Sequence, residues 1–331
     1  MVAESTPSTC RYAELDDRDS QQEGGPIFVV GCPRSGTTLM RDILTSHPGV
    51  AMLPFETHLL DIWAPRGLDL SDPQGFLTFW SGLSAQPGFG RLGRNADELR
   101  DELLADSPLD LQKVLIYLMA SFAARQRKPR GGEKTPNHFR HLDVFFDWYP
   151  DAQVVFMVRD PRSVLASWTR RDARWSRRPA HEIVDLWRSS IEHADHWSSD
   201  PRVRIVRFED LVADPVAETR ALHGFLGLGV SAVESSRSGS RPATSRAEDL
   251  VEARPSSGWR TILTASQLAL VESVAGREME RYGYQPAAPL AVRERVRSAA
   301  YSAVLPLRRV LRATKRLVVP PPYPPLGSSE P

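Results

Sequence analysis

The stretch GCPRSGTT, Gly31 to Thr38, gathers two glycines, three hydroxyl side chains and one cation, Arg34. An apolar run, Pro26 to Val30, enters it and an amphipathic run leaves it, so the loop joins a strand to a helix. Backbone N–H groups of a glycine-rich turn, with a helix N-terminus behind them, cradle a tetrahedral oxyanion. Loops of this shape that grip nucleoside triphosphates add a lysine for the β/γ-phosphates and a hydroxyl for Mg²⁺. Thr37 occupies the lysine position here. A cradle without its ammonium suits a single 5′-side phosphate that carries another anionic group.

Other groups able to do chemistry are spread along the chain. PFETH holds Glu56 and His58, EKTP holds Glu133 and Lys134, VRDPRSVLASW holds Arg159 and Ser167, and SSGWR holds Ser257 and Trp259. A carboxylate serves as proton acceptor when burial lifts its pKa towards the working pH. A guanidinium fork takes two phosphate oxygens at once, and a hydroxyl adds a third bond. Taken singly, these residues have plainer readings. Arg159 could pair with Asp160 or Asp210, Lys134 could be a loop lysine, and Glu133 could be a supporting partner or solvated. Trp259 could be core, and His138 and His141 read as surface or capping residues.

The elements that must position these groups alternate strand with helix. Val154 to Val158 is apolar throughout, as in a strand covered on both faces, and Pro161 suits the first turn of the helix behind it. Val203 to Phe208 is a further strand, and Asp214 and Pro215 start a helix reaching Leu226. Ser107, Pro108 and Asp110 read as the start of a helix whose Leu111, Val114, Leu115, Leu118, Met119 and Phe122 face the core. RQRKPRGGEKTP reads as the basic, glycine-rich loop that ends it. A short helix holds Leu142, Phe145, Phe146 and Tyr149, and Thr264 with Gln267 starts a last helix that ends at Gly283. The pattern predicts an α/β fold, a three-layer sandwich with a central parallel sheet, whose ligand lies beyond the carboxyl ends of the strands.

The expected organisation is an acidic tail over residues 1–25, one domain over 26–286, and a basic amphipathic helix with a proline-rich tail over 287–331. Residues 58–130 form a helical insertion on the acceptor side, and 229–258 a flexible loop of Ser, Arg, Gly and Pro. The aromatic cluster of Phe76, Phe79, Trp80 and Phe89 reads as packing of short helices or as the wall of an acceptor pocket. Net charge is +1, so no polyanion such as nucleic acid is implied. Residues 287–331 hold eight Arg/Lys against Glu294 and Glu330, a net +6 that leaves −5 for the rest. Two cysteines, Cys10 and Cys32, make no disulfide framework. The polar first 25 residues lack a signal-peptide pattern, and no run approaches the roughly 18 apolar residues of a membrane span. A cytoplasmic protein is expected, with the basic helix packed on the domain or in peripheral contact with an anionic membrane or acidic carrier.

PRSGTTLMR, EKTP, VRDPRSVLASW, RFEDLVADP and SGWR stand in the order found in sulfotransferases that use 3′-phosphoadenosine 5′-phosphosulfate (PAPS), and the chain resembles that family from Pro26 to Pro286. Arg34 makes it more similar to the tyrosylprotein-sulfotransferase branch and its bacterial relatives than to the steroid/phenol branch. The resemblance implies that Arg34, Ser35, Gly36, Thr37 and Thr38 hold the phosphosulfate, with Arg34 and Lys134 beside the transferring group and no metal ion. It also implies that Arg159 and Ser167 hold the 3′-phosphate, with Arg171 as a further contact, and that Ser257 and Trp259 close over the nucleotide. Pro136 fills the position of the steroid/phenol branch's histidine base, so Glu56 is the expected general base, one residue further from the loop than in the tyrosylprotein branch, and His58 its nearest rival. Phe208 stands where relatives often have Tyr. The expected acceptor is a hydroxyl of a carbohydrate, lipid or natural product. The competing readings are a small-molecule kinase and a non-catalytic nucleotide-binding protein.

Overall fold

The computed structural model describes residues 24–170, 178–229 and 258–287. Five parallel strands form one sheet in the order β2-β3-β1-β4-β5: β1 Ile27–Gly31, β2 Val50–Met52, β3 Arg130–Lys134, β4 Gln153–Val158 and β5 Val203–Arg207. Along β1, Ile27 and Val29 point into one core while Phe28 and Val30 point into the other, so the run is apolar at every position. The core holding Ile27 and Val29 is closed by α1, Thr37–Ser46, through Leu39, Met40, Ile43 and Leu44. The opposite face carries α4, Leu111–Arg125, α5, Leu142–Trp148, and α7, Ala180–Trp197. Helix, sheet and helix layers are as expected.

Strand β3 corrects the sequence reading. The segment taken as a basic loop runs through the sheet between β2 and β1. Its glycines are required by close approach: a Cβ on Gly132 would lie 2.5 Å from Met52 Sδ and 2.6 Å from the Ile27 carbonyl oxygen. The edge strand β2 lies in the segment HPGVAMLPFETH and is only three residues long. Helix α7 was also unread, although Ile183, Val184, Trp187, Ile191 and Ala194 form its buried face. Helix α4 starts three residues later than Ser107 suggested, with Asp110 Oδ1 accepting the Lys113 amide at 2.7 Å.

Between β2 and α4 lie α2, Pro73–Ser84, and α3, Ala96–Leu104. Phe76, Phe79, Trp80 and Phe89 are each at most 4% exposed and pack against one another, which is the packing reading and not a pocket wall. After β4 comes α6, Pro161–Thr169, and after β5 come α8, Phe208–Ala213, and α9, Pro215–Phe225. The last helix, α10, Ala265–Arg281, opens with the Thr264–Gln267 capping box. Among the described residues no helix is long and apolar enough to cross a membrane. Residues 1–23, 230–257 and 288–331, which hold the acidic tail, the 229–258 loop and the basic helix almost entirely, lie outside the described residues.

Two glycines should respond in opposite directions. Gly132→Ala overpacks the centre of the sheet and is expected to cost about 1–3 kcal/mol. Gly276→Ala, in α10 with nothing within 4 Å of the new Cβ, is expected to gain about 0.5–1 kcal/mol of helix stability. Urea unfolding of both variants checks the pair; equal midpoints would contradict the close packing of β3.

Candidate active site

The loop after β1 has the backbone of an anion cradle. Gly36 precedes α1 with φ 94°, a conformation costly for any residue with a Cβ. Its missing side chain also matters, because a Cβ would stand 2.4 Å from the Phe208 ring. No side chain caps α1 and no acidic residue sits in its first turn, so the positive end of the helix is left for a ligand. Ser35 Oγ is fully buried in this loop without a hydrogen-bond partner, which fits a hydroxyl placed for an anionic oxygen. Thr37 is buried and Thr38 half-buried. Cys32 is buried, and burial pushes its thiol up to about 12, so it is inert as a nucleophile.

Beside the loop, β4 delivers Arg159. Its guanidinium lies 3.9 Å above the Phe208 ring and donates to the Arg34 carbonyl oxygen at 3.2 Å. Arg34, itself at φ 79°, donates from Nε to Ser167 Oγ on α6 at 3.0 Å. Trp187 on α7 donates to the Arg159 carbonyl at 2.8 Å and fixes the strand end. Asp160 is engaged by Arg162 at 2.7 Å and Asp210 by Arg207 at 2.8 Å, so each acid considered as the partner of Arg159 has its own arginine. The structure thus brings together Arg34, Arg159 and Ser167, residues 125 and 133 positions apart.

Lys134 ends β3 next to β1, registered against Val29. It is 3% exposed and pairs through Nζ with Glu56 Oε1. The other Glu56 oxygen faces His58 Nε2 at 3.3 Å. Burial pushes the Glu56 carboxyl up, but the His58 hydrogen bond and the Lys134 charge outweigh it and hold the group down at about 2. This reverses the expected direction: with both cations in place, Glu56 is an ion-pair member and a weak base. His58 is pulled down by burial yet pushed up to about 10 by Asp61 and Glu56. As an imidazolium it cannot be the rival proton acceptor.

Behind this pair lies a second layer that the sequence reading did not assemble. Glu133 is 1% exposed, accepts Thr57 Oγ1 at 2.7 Å and Thr135 Oγ1, and meets His138 Nδ1 at 3.2 Å. It is a supporting partner and not a solvated acid. Burial pushes its carboxyl up, while the His138 charge and these hydrogen bonds hold it below the usual range. His138, read as a surface or capping residue, is fully buried and lies 3.6 Å from Asp61. Trp259 is buried with the Arg162 and Arg260 guanidinium groups 4.4 and 4.3 Å from its ring. Arg171 and Ser257 lie outside the described residues.

The ion pairs set a pH dependence of stability. Glu56 is depressed from 4.5 to about 2, so its contribution is complete above pH 4.5 and is lost as pH falls towards 2. His58 is raised from 6.5 to about 10, so its contribution is complete below pH 6.5 and is lost as pH rises towards 10. Asp61→Asn leaves His58 with Glu56 alone and should end the alkaline decline at a lower pH. Urea unfolding in steps from pH 6 to 11 measures this, and coincident declines in both proteins would contradict the assigned pairing.

Residues 26–232 match the family model described as the sulfotransferase family. The omega-hydroxy-beta-dihydromenaquinone-9 sulfotransferase of Mycobacterium bovis is 27% identical over 305 residues, spanning 80% of this chain and 76% of that protein. Protein-tyrosine sulfotransferase 1 of Danio rerio is 28% identical over 211 residues, spanning 61% of this chain and 53% of that protein. The sulfotransferase domain from the curacin biosynthetic pathway shares the fold, with a TM-score of 0.50 at 21% identity over 80% of this chain and 99% of that domain. The matched span runs from the start of β1 past the end of α9 and takes in Arg34, Glu56, Lys134, Arg159 and Ser167, and the chain belongs to the sulfotransferase family.

Proposed function

We propose that the chain transfers a sulfuryl group from PAPS to a hydroxyl of a carbohydrate, lipid or natural-product acceptor and releases adenosine 3′,5′-bisphosphate. The observation that carries this reading is the convergence of Arg34, Ser167 and Arg159 on the open end of α1. PAPS supplies a sulfuryl group already joined to a phosphate leaving group. The loop amides and Ser35 hydroxyl bind its 5′-side oxygens, and the Arg159 fork with Ser167 binds the 3′-phosphate. Lys134 stabilises the charge that grows on the leaving oxygen. The acceptor oxygen forms the new S–O bond as the S–O bond to the phosphate breaks, and the acceptor proton passes to Glu56.

Lys134 and Glu56 cannot fill both roles while bonded to each other. The donor's anionic oxygens draw the ammonium away, and Glu56, relieved of one of its two cations, becomes a stronger base. Donor therefore binds before transfer becomes competent. For the acceptor, the name of the mycobacterial relative, omega-hydroxy-beta-dihydromenaquinone-9 sulfotransferase, supports a lipid-like hydroxyl. The basic residues from Arg293 to Arg316 support peripheral contact with an anionic membrane from the cytoplasm.

Adenosine 3′,5′-bisphosphate should raise the melting temperature well beyond the shift given by AMP. Arg159→Ala should remove that difference, with a loss of roughly 10- to 100-fold in affinity, as for a charged hydrogen bond of about 1.5–3 kcal/mol. Equal shifts from the two nucleotides in the unmodified protein would exclude the donor assignment. Glu56→Gln should lower kcat by roughly 10²–10⁴-fold while nucleotide affinity holds or rises, read by transfer of labelled sulfate.

A further inference from the structure

His58 combines an unusual backbone with a ring held at both nitrogens. Its φ of 53° and ψ of 27° lie in the left-handed region, uncommon for a residue with a side chain. It opens the π-helical turn Leu59–Trp63, and the Ile62 and Trp63 amides both donate to its carbonyl oxygen, at 2.9 and 3.4 Å. Thr57 before it and Leu59 after it are fully buried, and the Thr57 amide donates to Thr135 Oγ1 at 3.1 Å. A backbone held against its preference marks a position where side-chain direction matters, and short π turns recur at functional sites.

The ring stands between two carboxylates. Nε2 lies 3.3 Å from Glu56 Oε2, and Nδ1 lies 3.2 and 3.3 Å from the two Asp61 oxygens. Only an imidazolium donates on both sides. Asp61 is steadied by Asn137 Nδ2 at 3.3 Å and faces His138 Nε2 at 3.6 Å. Side-chain exposure falls along this series, from 35% at Glu56 through 22% at His58 and 11% at Asp61 to 0% at His138. A carboxylate at the mouth of the site is thereby tied inward to the core.

Resting on the proposed transfer with Glu56 as proton acceptor, we propose that His58 is a positioning residue: held by Asp61, it orients Glu56 and remains its counter-cation when Lys134 turns to the donor. The two cations on Glu56 differ in where they are anchored. Lys134 stands on β3 beside the strand that leads into the loop, so the donor's oxygens compete for it. His58 is held at Nδ1 by Asp61, 3.2 Å away, on the ring nitrogen opposite the one that meets Glu56. Glu56 without His58 would face the donor's negative charge unpartnered, with its carboxyl free to rotate away from the acceptor. The groups that set the ring's charge are Glu56 and Asp61 in contact, Lys134 beyond Glu56, and Asn137, His138 and Glu133 beyond Asp61. His141, at the end of the Pro136–His141 turn, interacts electrostatically with His138 and Asp61 on that side.

His58→Gln keeps a hydrogen-bond donor and removes the charge. Donor affinity should stay within about 2-fold, kcat should fall about 10-fold or more, and the acid limb of kcat should move up by about one pH unit, because a carboxylate that loses a cation gains protons more readily. The base is active only when deprotonated, so the limb moves upward and not downward. Nitrogen-15 NMR of the unmodified protein at pH 8 should show both His58 ring nitrogens protonated, a readout that needs neither turnover nor a folded variant. A neutral His58 ring at that pH, or a His58→Gln enzyme with unchanged kcat and acid limb, would overturn the proposal while leaving sulfuryl transfer intact. An unmodified protein that transfers no sulfuryl group from PAPS to any acceptor would instead remove the functional reading, and the role of His58 with it.

Discussion

Strand β3 carries an arginine, a glutamate and a lysine through a parallel sheet, and each buried charge must be paired or hydrogen-bonded where it lies. Arg130 does so with three oxygens at 2.6 Å, from Gly25, Leu226 and Gln153, and burial still pulls it down to about 10. Glu133 uses Thr57, Thr135 and His138, and Lys134 uses Glu56. Those partners come from the segment after β2 and from the turn after β3. Satisfying the strand's charges therefore fastens the base-bearing segment to the lysine-bearing strand. Removing one member of the fully buried Glu133–His138 pair costs about 3–5 kcal/mol, because the other is left uncompensated, so the site's geometry is held by the same energy that holds the sheet.

A consequence is that the cations of the site already have protein partners. Arg34 is bonded to Ser167, and Lys134 to Glu56. The donor of the proposed reaction exchanges one set of ionic contacts for another and does not meet bare charge. Unit charges about 4 Å apart at an effective dielectric near 20 interact by about 4 kcal/mol, so the exchange is closely balanced and needs the several anionic oxygens of the donor acting together. Mere storage of a nucleotide would not require the carboxylate that leaves this exchange with a changed proton affinity.

What was legible in the sequence follows from how local each signal is. The loop could be read because its glycines and hydroxyls stand at short spacings between an apolar strand and a helix, whereas Arg159 and Ser167 stood out only through the family resemblance. Strands β1, β4 and β5 were legible as β-rich runs. Strand β3 was not, because Gly131 and Gly132 replace side chains where Met119, Met52 and the Ile27 carbonyl crowd in, and because Lys134 finds its carboxylate at Glu56, 78 positions away. His138 looked like one of several polar residues in a turn; only the meeting of that turn with the π-helical turn after His58 shows it as buried wiring between Asp61 and Glu133. Trp259 was open between core and nucleotide; it is buried, with two guanidinium groups against its ring.

Phe208 packs without any need for a ring hydroxyl. One edge of the ring fills the space left by the absent Gly36 side chain, and one face carries the Arg159 guanidinium at 3.9 Å. A cation over an aromatic face contributes about 0.5–2 kcal/mol without any polar atom on the ring. The ring thus acts as a spacer between the cradle and the arginine that stands over the ribose side of the proposed donor. Gly36, Phe208 and Arg159 pack in series, and the Arg159 hydrogen bond to the Arg34 carbonyl closes the same path, so the separation of the loop from the end of β4 is set by one ring and one hydrogen bond.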